Sequence, residues 1–258
     1  MPTKELLAEI DRNRELLRER CQLTPQQITN FDNHFRITNT FTSNAIEGNR
    51  LSLIDVKLVL DDGISVGGKS LNDLFETFSH GKTFDLMLKF ARENSFDSIS
   101  ENLLRIISDL HHSFYEIIDN KYAGVYRDMN VMIGGASVLP PEPDELKMFM
   151  ENFLTMFNRY KTTYHPVCLA AYAHLRLVQI HPFIDGNGRT SRLLMNLILV
   201  NQGYQLIDFD MADRDRYYVA LDNADKQDYQ ENAFNDLIAE LELKAQMEFM
   251  RLNRIDYP

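Results

Sequence analysis

The chain has 258 residues, 44% of them hydrophobic and 25% charged, and its 11 Gly and 8 Pro are few for that length, which favours a mainly helical globular protein of one large domain or two small ones. Its 38 acidic against 27 basic side chains leave a formal charge of -11, and with no Lys/Arg cluster to offset that balance, nucleic acid is excluded as a main ligand. Cys21 and Cys168 build no disulfide framework, and no apolar run approaches the ~20 residues of a membrane span, so the expected setting is soluble, cytoplasmic and reducing, with no membrane partner.

In chain order, residues 3 to 20 predict an amphipathic helix with Leu6, Leu7, Ile10, Leu16 and Leu17 on its apolar side. Its Arg12, Arg14, Arg18 and Arg20 are expected as a solvated face paired with Glu15 and Glu19. A second helix starts at once: Thr24 as N-cap, Pro25 at the first helical position and Gln27 at the third make a capping box. It should run through Phe31, Phe35 and Phe41 to a stop at Gly48.

Helical patterns recur at about 52 to 62, 70 to 92, 101 to 118, 144 to 160, 166 to 179, 187 to 202, 214 to 222 and 231 to 252. Between two of them, residues 63 to 70 (GISVGGKS) match the G-x4-G-K-[ST] phosphate loop letter for letter. That loop works only between a buried strand and a helix. No strand–helix alternation follows, so a helix stop at Gly63 and an N-cap at Ser70 with Asp73 three residues on is the expected reading. The one convincing interruption is VMIGGASVLPPEP, where Val131, Met132 and Ile133, a Gly pair, then Val138 and Leu139 read as a short β-hairpin. One hairpin among helices makes no sheet core and is expected as a flap over something.

The block His181-Pro-Phe-Ile-Asp-Gly-Asn-Gly-Arg-Thr-Ser-Arg192 is chemical rather than structural in composition. Pro182 biases His181 toward an extended approach. Gly186, Asn187 and Gly188 open a helix with backbone unencumbered by side chains, an anion site where N–H groups and the positive helix end converge. Arg189 and Arg192, three apart, share a helix face and can clamp a polyphosphate. Asp185 just ahead suits a Mg²⁺ ion among phosphates, and His181 suits a proton acceptor for an attacking hydroxyl.

HPFIDGNGRTSR carries all nine specified positions of the HPFx[D/E]GNGRxxR motif and on that basis resembles the Fic family, adenylyltransferases that place AMP on hydroxyl side chains of proteins. The resemblance extends over about residues 30 to 240, through SNAIEGN, GVYR and YYVALDNAD. It implies an all-α (mainly α) Fic-type helical bundle with one short β-hairpin flap. It divides the chain into residues 1–95 as an N-terminal helical region, 96–230 as the catalytic core, and 231–258 as a C-terminal helix packed on it.

The resemblance further implies His181 as general base and Asp185 as holder of the metal that bridges the α- and β-phosphates of Mg-ATP. Gly186, Asn187, Gly188, Arg189 and Arg192 would bind the phosphates, with Phe183, Tyr217 and Tyr218 as further nucleotide contacts. Val131, Met132 and Ile133 would be the flap arm that docks the target's main chain. Where the family usually ends YxxxLxxAN, this chain has Asp225 in place of Asn.

Local physics makes the end of the second helix odd. ITNTFTSNA forms helix poorly, and Glu47 puts negative charge at the negative end of the helix dipole. Ser43-Asn-Ala-Ile-Glu47-Gly48 resembles the Fic inhibitory motif [S/T]xxxE[G/N], which implies that Glu47 pairs with Arg192 within the same chain and brakes the enzyme. The leading expectation is therefore an autoinhibited adenylyltransferase that uses Mg-ATP to modify a protein hydroxyl and releases pyrophosphate. A hydrolase that removes AMP through a water aligned by Glu47, and a nucleotide-sensing interaction module, are the rival readings. A homodimer is left open.

Overall fold

The computed structural model describes residues 2–133, 139–224 and 233–255. Side-chain caps set most of the helix starts. The Thr3 hydroxyl accepts from Leu6 N–H to open α1 (Lys4–Arg20), and Thr24 with Gln27 forms the complete capping box of α2 (Pro25–Ile46). Ser52, Ser70 and Ser95 do the same for α3 (Leu53–Asp61), α4 (Leu71–Glu93) and α5 (Phe96–Glu101). The chain then runs through α6 (Leu103–Asp119), α7 (Leu146–Tyr160), α8 (Pro166–Ile180), α9 (Asn187–Asn201), α10 (Arg214–Ala224) and α11 (Ala233–Leu252). The phosphate-loop look-alike is entered from α3, a helix rather than a strand, and leaves through the Ser70 cap, so it lacks the context its chemistry needs.

The core is organised around α8 and α9. Residues 167–175 of α8 and 189–199 of α9 are buried without a break, the mark of helices surrounded on all sides. The pair packs together; α11 covers α8, α4 lies against α9, and α6 lies against α4. On the outside, α1 packs on α11. A second small cluster of Ile37, Leu51, Val56 and Val59 joins α2 to α3, so α2 is a wall of the bundle. No helix among the described residues is long and apolar enough to cross a membrane.

The expected hairpin needs correction. Among the described residues the chain forms no strand, and Val131, Met132 and Ile133 run as irregular backbone. Most of the remainder, residues 134–138, lies outside the described residues. An isolated two-stranded ribbon has too few cross-strand contacts to be stable alone, and Met132 and Leu139 are largely exposed, at 87% and 76%. The α5 helix escaped sequence reading because its six residues are too few to show a period.

Candidate active site

The turn between α8 and α9 carries most of the chemistry. His181 ends α8 as its C-cap, with its N–H on Leu177 O at 3.0 Å, and adopts the left-handed conformation (φ 50°, ψ 57°) instead of the extended one that Pro182 favours. Such a conformation in a residue with a Cβ costs about 1–3 kcal/mol. Two contacts hold it: the His181 carbonyl accepts Arg127 Nε–H at 2.9 Å, and the His181 ring packs back so that Nδ1 lies 3.1 Å from Val178 O. A carbonyl only accepts, so Nδ1 carries the proton and Nε2 presents its lone pair. Burial lowers the imidazole pKa below its ordinary value, and Arg127 adds to that against the opposing pull of the Val178 carbonyl, Glu47 and Asp185.

The next residues fold into an anion nest. Gly186 sits at φ 75° as N-cap of α9, and a Cβ there would press on Phe114 Cε1 at 3.0 Å. The first intrahelical bond of α9 is Thr190 N–H to Gly186 O, so the N–H groups of Asn187, Gly188 and Arg189 have no partner within the helix. The Asn187 side chain does not face a ligand. It bonds the Phe183 N–H and C=O at 2.9 and 2.8 Å and so staples the turn shut. Phe183 also departs from expectation: it is fully buried, stacked on His111 at 3.7 Å between ring centroids, and is absent from the lining of the cavity over the turn.

A cavity of about 670 Å³ opens over this turn. Its lining includes His181, Asp185, Gly186, Asn187, Gly188 and Arg189 from the motif, Glu47 from the end of α2, Tyr217 and Tyr218 from α10, and Val131, Met132 and Ile133. Thus the structure gathers residues from four separate stretches of sequence around one space. Arg192 lies just behind, buried, with its hydrogen bonds running to α2, its Glu47 cap and α10.

Glu47 and Arg192 form an ion pair at 2.7 Å across 145 residues. Arg192 also donates from Nε to the Ser43 hydroxyl at 2.8 Å, from Nη2 to the Ser43 carbonyl at 3.0 Å, and from Nη1 to the Tyr217 hydroxyl at 3.2 Å. The Tyr217 hydroxyl, already an acceptor, donates its own O–H to His174 Nε2 at 3.1 Å. Tyr217 is thus a buried strut, with burial pushing its pKa up to about 12, while Tyr218 stays half-buried at the cavity and donates to Ile46 O. Burial pushes the Glu47 carboxyl up, but Arg192 and Arg189 outweigh it and leave it below the usual range. Gly48, at φ 97°, turns the chain away directly afterwards. A Cβ on Gly188 would collide with Glu47 Oε1, so the bare backbone there lets the pair close.

Arg189 is held differently, by Glu76 at 3.0 Å, by Asp185 at 3.3 Å and over the Phe114 ring at 4.5 Å. Asp185 is half-exposed, with Oδ1 also accepting Gly186 N–H at 2.6 Å. The motifs read from the sequence give no role to Glu76, Arg127 or His111. His111 accepts Gly124 N–H at Nδ1 and donates from Nε2 to the Asp185 carbonyl at 2.9 Å, fixing the main chain of the motif. The signal for such a residue is spatial, since 74 positions separate the two partners. Asp225 lies outside the described residues.

A family profile described as Fic/DOC family matches residues 99–199. The protein adenylyltransferase Fic of Drosophila persimilis is 36% identical over 189 residues, 73% of this chain and 36% of that protein. The chain thus spans about a third of the length of the curated relatives it matches. A Fic domain containing signalling protein of Bacteroides thetaiotaomicron superposes with a TM-score of 0.84 at 24% identity, covering 97% of this chain and 99% of that one. Fic-1 of C. elegans superposes with a TM-score of 0.81 at 24% identity, covering 96% and 71%. With the motif turn, the helical bundle and the matched span in agreement, the chain is a Fic-domain protein of the Fic/DOC family.

Proposed function

We propose that the chain is a protein adenylyltransferase that moves AMP from ATP to a hydroxyl side chain of a target protein, held in check by Glu47. The observation that carries this reading is the convergence of a base with a free Nε2, an anion nest and buried Arg189 on one cavity, with Arg192 just behind it on Glu47. In the reaction, the target hydroxyl oxygen attacks the α-phosphorus, His181 Nε2 takes the hydroxyl proton, and pyrophosphate leaves with the bonding electrons. The nest at the α9 N-terminus and Arg189 would hold the departing phosphates. The activity named for the Drosophila relatives supports the same chemistry.

A Mg²⁺ ion fits the donor set. Asp185 is a half-exposed carboxylate at the nest, whereas Glu47 beside it is engaged by Arg192, and no cluster of three or more His, Cys, Asp or Glu suited to a metal exists among the described residues. That matches an ion held by one carboxylate together with nucleotide phosphates and water rather than by a protein cage. When bound, it would neutralise charge on the phosphates.

The inhibitory role rests on the Glu47–Arg192 pair. While it is closed, the guanidinium that would meet the γ-phosphate is engaged by a carboxylate of the same chain. Incubation with α-labelled ATP tests the whole reading: Glu47→Gly should label itself strongly, wild type weakly, and Glu47→Gly/His181→Ala not at all. Equal labelling of wild type and Glu47→Gly sinks the brake. AMP release from a pre-labelled protein that depends on Glu47 would favour the hydrolase instead, and ATP-dependent partner binding that survives His181→Ala would favour the sensing module. The expected setting remains the cytoplasm, with neither nucleic acid nor a membrane as partner.

A further inference from the structure

Arg127 is buried, at 2% exposure, yet makes no ion pair among the described residues. Among the described residues its side chain bonds main-chain carbonyls: Nε to His181 O at 2.9 Å, Nη1 to Met129 O at 3.0 Å and Nη2 to Pro141 O at 2.5 Å. Its own N–H adds a fourth bond, to Pro182 O at 2.8 Å. One planar cation therefore ties together three places: the start of the segment that carries Val131, Met132 and Ile133 to the cavity, the return of that segment at Pro141, and the strained backbone of His181. A buried charge held only by carbonyls is costly, and removing it leaves three oriented acceptors behind. Three diverging donors in one rigid plane are a property of guanidinium that a lysine ammonium does not reproduce.

Resting on the proposed AMP transfer, we infer that Arg127 is a positioning residue that sets the distance between the 129–133 segment and His181, and hence between a target main chain docked on that segment and the base. Nucleotide binding does not pass through it, because the nest, Arg189 and Arg192 are held by α2, α4, α9 and α10. The role thus separates two kinetic quantities: the KM for ATP stays put while transfer to protein falls.

The test uses Glu47→Gly as parent and the His181→Ala chain as protein acceptor in trans. Adding Arg127→Lys should slow transfer at saturating ATP by about ten- to a hundredfold, the range expected for lost charged hydrogen bonds, with KM for ATP unchanged. Free guanidinium should restore part of the rate to Arg127→Ala and none to the parent. Independently of activity, amide exchange at residues 129–133 should quicken in Arg127→Lys while that of α9 stays the same. A parent that transfers nothing overturns the proposed function, and the exchange comparison still decides the clamp. Unchanged exchange, unchanged transfer, or a joint loss of transfer and ATP affinity each overturns the inference.

Discussion

His181 concentrates what one residue's surroundings can do to its chemistry. The Val178 carbonyl fixes the proton on Nδ1, and burial lowers the pKa, so Nε2 stays unprotonated at neutral pH and somewhat below 6.5. Transfer by Glu47→Gly should hold level from neutrality down to a pH below 6.5 and fall only beneath it. An acid limb centred above 6.5 in the pH–rate profile would contradict the lowered value. At Glu47 the same accounting concerns a charge pair. The carboxyl is 30% exposed toward the cavity, so the full ~3–5 kcal/mol of a sealed pair does not apply, and Glu47→Gly should improve ATP affinity about ten- to a hundredfold. Titration of both proteins with ATP by calorimetry checks this. The motif residues could be read because they are contiguous, from His181 to Arg192. Arg127 and His111 could not, because their partners are distant in sequence and their own neighbours carry no pattern.

The helix that carries Glu47 is not built to swing. Thr38 and Asn39 bond Asp208 at 2.7 and 2.5 Å, Thr40 lies 3.0 Å from His80 Nδ1, and Ile37 and Ile46 are buried. Arg214 and Tyr218 both donate to Ile46 O at its C-terminal end, which offsets the unfavourable dipole left by Glu47 at that end. On the proposed brake, opening would be a rotation of the Glu47 side chain alone, and amide exchange in α2 should stay slow and equal in wild type, Glu47→Gly and the ATP complex. Fast exchange across Ile37–Ile46 on ATP binding would mean that the helix itself leaves. The poor helix formers of ITNTFTSNA make sense in this light, since Thr38, Asn39, Thr40 and Ser43 are there for their hydrogen bonds rather than their propensity. The sequence exposed this helix's start through its capping box, whereas its tertiary anchors were hidden in long-range pairs.

Across the whole molecule, burial of ionisable groups shapes stability against pH. His80, His111 and His174 are held neutral, the first two with pKa values of about 3 and about 4, so below pH 6.5 the unfolded chain binds more protons and stability falls with acid. Glu242, buried between Gln205 and Gln246, is raised to about 8. The folded state keeps its proton where the unfolded one has lost it, so stability declines as pH rises from about 4.5 to 8. Three histidines outweigh one glutamate below 6.5, and the thermal midpoint should peak near neutrality. Glu242→Gln should flatten the alkaline side of that curve in a melting series. The contact between Glu47 and Arg192 joins two residues of one chain across 145 positions, so the proposed brake would act at a fixed effective concentration however dilute the solution. On that proposal activity per molecule should be flat on dilution, and a cell would relieve the brake not by making less of the protein but by something that competes for Arg192.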